Sequence, residues 1–439
     1  VHYVQGAPLR STISILWNCL TIILLCTWNI QHLNVPPVRP FQAPKWKKLR
    51  WAILDVAEKA KWMIMTVLVP EVLVGKALSE LGSAKESVRR MSHGRKSEET
   101  DWSLVHAYMA NMGYFVLDSQ LDDAAHLQGL RIENERNKDQ SAFAKYKATH
   151  EPEKAGYRVK KNWARLQYRY LALDARQWGS VLEEDWADMP KIPERQLKKL
   201  DKGGGLVKAL AVLQILYLVI QLVARKVGGL PASQLEIATL AFAVSSLLTY
   251  GLYWSRPQGV DTIYVVKSKR ILSPDALSQM YSTLAYRGPM YLWYPEGVEF
   301  DRESAPAPIP NFAVDRAQRR LFQLGASVGG TVFGAVHCLA WDFAFPTGGE
   351  KLGWNICAVA TAVLPLVMAL PLLLSAYTVF ERTRFFALAM RISTFVFVLL
   401  SLAYVLARLF LLAETVRSLF YLPPEAFVET WSGSFPHWG

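Results

Sequence analysis

"MIMTVLVPEVLVGKALSEL", Met63 to Leu81, is the stretch whose reading decides how often this chain crosses a membrane. It is long and apolar enough to be weighed as a span, since about 20 apolar residues cross a bilayer core. It also holds Pro70 and Glu71 at its centre and Lys76 soon after. The flanks arbitrate. Before it stand Arg39, Lys45, Lys47, Lys48, Arg50, Lys59 and Lys61, and after it Lys85, Arg89, Arg90, Arg95 and Lys96. Basic loops stay on the cytoplasmic side. Two basic flanks therefore place both ends of the stretch on one face, and we read it as a re-entrant or interfacial helix.

Working outward, six other segments read as full spans: Ser11–Ile30, Leu206–Ala224, Leu235–Trp254, Gly325–Phe345, Asn355–Phe380 and Ile392–Leu412. Helices are the only open-ended elements that satisfy their own backbone in lipid. With the N-terminus lumenal or extracellular, Lys267, Lys269 and Arg270 fall in the cytoplasm, as do Arg382, Arg384 and Arg391. The weakly charged "PTGGEKLGW" loop falls outside. Arg225 and Lys226 are the exception, because their short connection would also lie outside.

The expected fold is thus all-α. It is a polytopic membrane helical bundle of about six transmembrane helices, with one re-entrant or interfacial helix and a mostly helical cytoplasmic insert. Residues 1–81 hold the first span, a basic loop and the doubtful helix; 82–205 form the polar cytoplasmic insert; 206–254 form a transmembrane hairpin. Residues 255–324 form a cytoplasmic loop, 325–412 three further spans and 413–439 an aromatic interfacial tail. The insert is too rich in aromatics to stay unfolded. "DWSLVHAYMANMGYFVLD" (Asp101 to Asp118) is apolar enough to pack, and Arg131 to Trp178 mixes charge and aromatics at helical spacing.

Composition supports a membrane class. The 439 residues are 51% hydrophobic with a net charge of +12. The apolar residues gather in blocks separated by charged segments, unlike the even mixture of a soluble globule. The basic excess is spread over loops that also carry acids. It fits membrane topology and contact with anionic lipid, and no zinc-finger or RNA-binding signature points to nucleic acid. Cys19, Cys26, Cys338 and Cys357 all sit in apolar segments without a framework spacing, which argues against structural disulfides.

Ionisable groups inside apolar segments are costly and mark functional candidates. "VFGAVHCLAWDFAFP" (Val332 to Pro346) carries His337 and Asp342. Their spacing sets them about 140° apart on a helix, so they do not touch directly. One reading makes His337 a buried ring bonded to a carbonyl. The other makes it a proton donor, proton acceptor or ligand, with Asp342 orienting a water or a neighbouring group. Glu71 is the third catalytic candidate, as a proton carrier, a metal ligand or a partner for an arginine. His32, His106 and His337 are weak candidates for a metal, since imidazole suits several transition metals but no close motif links them. Cys26 and Asn34 lie beside His32. Gly325, Gly329, Gly330 and Gly334 give small-xxx-small spacing, which lets a neighbouring helix approach. Arg408, Gln214 and Gln221 read as glue between helices. No P-loop, nucleophile elbow or haem-attachment motif occurs, and no cofactor is assigned.

"ILWNCLTIILLCTWNIQHLNVP", "VLVPEVLVGKAL", "LVHAYMANMGYFVLD" and "VFGAVHCLAWDFAFPT", with the long hairpin from Lys208 to Tyr250, resemble a family of fungal multi-pass integral membrane proteins of no established activity. The resemblance covers most of the chain apart from the middle of the insert. It implies a fungal source and a secretory signal before Val1. Two functions stay open. One is a membrane-embedded enzyme acting on an apolar small molecule, such as a terpenoid, polyketide or lipid intermediate of secondary metabolism. The other is a non-catalytic transporter, receptor or scaffold.

Overall fold

The computed structural model describes residues 9–39, 42–94, 102–119, 170–203, 205–269, 286–287, 309, 311, 313–314, 318–375 and 384–430. The chain opens with α1 (Thr12–Asn29), α2 (Lys45–Leu68), α3 (Pro70–Gly94) and α4 (Leu104–Asn111). Strands β1 (Phe115–Asp118) and β2 (Tyr170–Ala172) precede α5 (Ala175–Glu183) and α6 (Glu194–Lys199). A helical hairpin follows, α7 (Gly205–Val227) and α8 (Gln234–Leu252), then β3 (Tyr264–Lys267) and the two-residue strands β4 (Tyr286–Arg287) and β5 (Ala313–Val314). The chain closes with α9 (Arg319–His337), α10 (Gly348–Ser375) and α11 (Arg384–Arg417). Among the described residues, α1, α7, α8, α9, α10 and α11 are the six helices long and apolar enough to cross a membrane. They overlap the six expected spans, with shifted bounds: α9 starts six residues before the expected Gly325 and ends at His337, which leaves Asp342 beyond the helix, and residues 376–380 of the fifth expected span lie outside the described residues.

Helix α9 sits at the centre, against α3, α8 and α10, because its glycines remove the side chains that would hold neighbours off. A Cβ on Gly325 would lie 2.9 Å from the Cα of Gly75, and one on Gly75 would lie 2.6 Å from the Phe322 carbonyl. On the other side, a Cβ on Gly334 would run into the backbone of Ala362 in α10, and one on Gly330 would meet Pro365 at 2.9 Å. The expected small-residue seam is therefore two seams. Gly325 and Gly329 serve α3, while Gly330 and Gly334 serve α10 and α11.

Beside this bundle the structure adds a small sheet that hydropathy does not announce. Its order is β2-β1-β3, with β2 antiparallel and β3 parallel to β1. All four residues of β1 are buried, as expected for a central strand covered on both faces. Trp178 of α5 is fully buried and donates through Nε1 to the Phe115 carbonyl at 3.4 Å. The all-helical expectation is corrected here. The described part of 82–205 is mixed, and it takes a strand from the segment 255–324. Most of the predicted helical stretch Arg131–Trp178 lies outside the described residues, as do Trp431 and Trp438 of the aromatic tail.

At the opposite end of the bundle the first and last described segments, near residues 9 and 428, meet. Leu9 pairs antiparallel with Val428, and the Arg10 N–H donates to the Phe427 carbonyl at 2.8 Å. Arg10 forms a bidentate pair with Glu236, which also closes the capping box of α8 with Ser233. Arg225, 1% exposed, donates to the carbonyls of Pro231, Val428, Glu425 and Ala426. This explains the charge that broke the topology pattern. Arg225 is not a loop cation facing water, because its guanidinium is spent on carbonyls left open by the irregular backbone around it.

Candidate functional site at a broken helix

The site begins with a covalent constraint. Proline has no N–H and pushes the residue before it out of the helical region. Val69 accordingly takes φ −142° and ψ 69°, and the axes of α2 and α3 differ by 110°. Met63–Leu81 is therefore not one helix, which corrects the reading made from hydropathy. α2 ends at Leu68 and α3 starts at Pro70, where a proline's fixed φ suits the first helical position. The basic stretch before Met63, expected as a loop, is largely the body of α2.

A break inside a packed bundle leaves backbone carbonyls that need donors. Arg408 of α11 supplies one, donating through Nη2 to the Leu68 carbonyl at 3.3 Å. Its guanidinium also lies 3.8 Å from the centroid of the Phe333 ring, a cation–π contact. Directly after the break stands Glu71, 8% exposed, against Gly329 of α9. Arg408 and Tyr404, one turn apart on α11, are the side chains from another helix that act on its carboxylate. Tyr404 and Glu71 act on each other as hydrogen-bonding side chains, and neither Oε2 of Glu71 nor the Tyr404 hydroxyl forms a bond of good geometry to any other group. Buried polar atoms are nearly always satisfied, so a pair held this loosely is notable.

His337 lies one turn beyond Phe333, the ring that Arg408 covers. It is 2% exposed, and its Nδ1–H bonds the Phe333 carbonyl of its own helix at 2.8 Å. Its ring lies 4.7 Å from the Phe333 ring and 5.8 Å from Trp354, whose Nε1 donates to the His337 carbonyl at 3.2 Å. Arg408 acts electrostatically on His337 as well as on Glu71. Asp342 is placed differently. Its side chain is 90% exposed, with Lys351 Nζ at 3.6 Å.

The metal candidates are spread over the molecule. His32 is buried with Nδ1 3.0 Å from the Ile30 carbonyl, and its ring stacks at 4.8 Å on Tyr253. His106 closes the capping box of α4 with Ser103, while its Nε2 meets the Ile192 carbonyl at 2.7 Å. Among the described residues no group of three or more His, Cys, Asp or Glu side chains could hold a metal ion.

Sequence reasoning missed a second charged cluster, further along α3. Glu80 receives Lys76 at 2.8 Å, the Tyr253 hydroxyl at 2.6 Å and the Arg256 guanidinium. Arg256 also donates to Asn34 at 2.7 Å. Burial draws Arg256 down to about 9, which leaves it a cation at neutral pH. Lys76 and Glu80 are four apart, the spacing of a helical ion pair. That half was visible in the sequence. Arg256, Tyr253 and Asn34 join it only through space, at the ends of α8 and α1.

The bundle is mostly helical, with six helices long and apolar enough to cross a membrane and with charges buried both at the break and at helix ends. The chain belongs to a family of unknown function (DUF8562), whose model matches residues 1–153 and 182–285. No curated protein and no solved structure matches the chain significantly. The match takes in Glu71, Lys76, Glu80 and Arg256, while His337, Tyr404 and Arg408 lie beyond it.

Proposed function

We propose that this chain is a multi-pass integral membrane protein of fungal type and a membrane-embedded enzyme, acting by proton transfer on an apolar terpenoid, polyketide or lipid intermediate. One observation carries the reading. Glu71 is a buried carboxylate at a helix break, acted on by Tyr404 and Arg408 and without a hydrogen bond of good geometry on Oε2. A carboxylate in apolar surroundings is a general acid or base in waiting. Arg408 serves as its counter-charge, and Tyr404 as the hydroxyl that relays or receives the proton. His337, which Arg408 also acts on, is the second titratable group, and Asp342 is a surface carboxylate apart from this constellation.

Six crossings with both termini outside agree with the pairing of Leu9 and Val428, because ends that meet require an even number of crossings. A seventh crossing through Met63–Leu81 would separate them. Reagent labelling of sealed vesicles tests this. Thr347→Cys should label from outside and Lys267→Cys only after permeabilisation. Labelling of both from one side sinks the topology. For the activity, Glu71→Gln and His337→Phe should each change the metabolite profile of the producing cell at normal protein level. An unchanged profile in both variants removes the enzyme reading. A scaffold is the second reading. It is favoured by the close packing around His337 and by the folded sheet body, which offers a surface to partners.

A further inference from the structure

Helix α2 carries six cations, Lys45, Lys47, Lys48, Arg50, Lys59 and Lys61, against two acids, Asp55 and Glu58. At 100° per residue these charges are not scattered. Trp46, Leu49, Ile53, Val56, Ala60 and Ile64 fall on one stripe. Trp46, Leu49, Ile53, Val56 and Ile64 are 56–63% exposed, so no other part of the described chain covers them. Lys45 and Lys59 border the stripe on one side, Arg50 and Lys61 on the other. Both acids lie on the opposite half of the helix, where they are engaged. Asp55 pairs with Arg39 at 2.6 Å, and Glu58 bonds Lys61 at 2.6 Å and Trp62 at 3.0 Å.

The protein-facing side fixes the level of this helix. Thr66 accepts a hydrogen bond from Gln31 at 2.8 Å, just past the end of α1 at Asn29, and Lys59 lies 4.4 Å above the Trp28 ring. α2 is thus tied beside the end of a spanning helix, while its axis turns 110° from α3. A helix at that level, with an open apolar stripe bordered by long cationic side chains, has the build of an element lying in a membrane interface. The stripe enters the acyl boundary, and the cations reach up to the headgroups.

We propose that α2 lies in the plane of the cytoplasmic leaflet and binds anionic phospholipid headgroups through Lys45 and Arg50, the bordering cations that are not engaged by Trp28 or Glu58. The proposal rests on the membrane reading above. Charge complementarity selects the occupant. A cationic border on an apolar stripe matches an anionic leaflet, and a protein partner would have to present acids around an apolar ridge of the same length. Anionic leaflets attract such basic segments strongly enough to give headgroup selectivity.

The test uses the full chain, with its four native cysteines replaced by alanine, reconstituted into vesicles of phosphatidylcholine alone or with phosphatidylserine. An environment-sensitive fluorophore is placed at Ile53→Cys, at Asp55→Cys or, as a control on a spanning helix, at Leu402→Cys. Lipids brominated in their acyl chains are the quencher. The expected result is quenching at 53 and 402 but not at 55. Quenching at 53 should rise with phosphatidylserine, and that rise should disappear when Lys45 and Arg50 are changed to Glu. Quenching at 402 without quenching at 53 overturns the proposal and leaves the membrane reading intact. Quenching at 53 that ignores phosphatidylserine overturns the headgroup recognition. Absence of quenching at 402 overturns the membrane reading itself.

Discussion

Two arginines frame this molecule, and their surroundings differ. Arg225, at the end where Leu9 and Val428 meet, is 1% exposed and every direction of its guanidinium meets a carbonyl. Arg408, at the helix break, reaches one carbonyl, one aromatic face and a carboxylate whose Oε2 lacks a hydrogen bond of good geometry. The first arrangement is complete, so it serves the fold. The second is incomplete, and incompleteness inside a packed bundle is retained where something else is gained. A buried charge is thus best judged by what its partners lack.

The comparison can be broken at its complete end first. Glu236→Ala leaves Arg10 buried without its carboxylate and opens the cap of α8, so it should cost about 3–5 kcal/mol. Thermal unfolding in detergent reads this. If Arg10→Ala is added, the double variant should lose less than the sum of the singles, because the pair acts as a unit. Arg225→Ala strips four carbonyls of their donor and should cost about 3 kcal/mol, counting only those that water cannot reach. Limited proteolysis should then cut near Glu425 faster than in the parent. At the break the expectation reverses. Glu71→Gln keeps the shape and removes a buried charge, so stability should stay within about 1 kcal/mol or rise, while function falls. A large loss of stability would make Glu71 a structural carboxylate like Glu236.

The smallest effect is a control on the sheet body. Glu194 is held below the usual carboxylate range by Lys198 and the Ser103 hydroxyl. A depressed folded value means its contribution is present at neutral pH and fades as the pH falls through the acidic range. Glu194→Gln should cost about 0.5 kcal/mol or less. It should also flatten that acidic part of the stability profile.

The six long helices were legible because length and hydropathy are local properties, and α1 and α8 end close to where composition changes. Pro70 was equally visible, yet its effect was underread. Apolar residues on both sides suggested one helix, whereas the missing N–H and the constraint on Val69 separate two. The sheet was not legible. Its strands have three or four residues, and β3 reaches β1 across a long stretch of chain. Glu71 and His337 were both singled out, but not that one arginine acts on both. Arg408 read as ordinary glue between helices. Arg256 drew no reading from the sequence, and only the structure sets it on Glu80. Short-range pattern finds elements, while clusters built from three helices need the third dimension.

The bridge between Leu9 and Val428 also makes the chain almost a closed ring. Folds whose ends lie together tolerate circular permutation. In a chain trimmed to residues 9–428 these two positions could be joined by a short polar linker and new ends opened at Gly348 or Gly349, where an added Cβ has room. Such a permuted chain would begin and end on the same face as before. It would keep the order of packed helices while changing which of them is made first. That would separate the requirements of the finished bundle from those of its stepwise insertion into lipid.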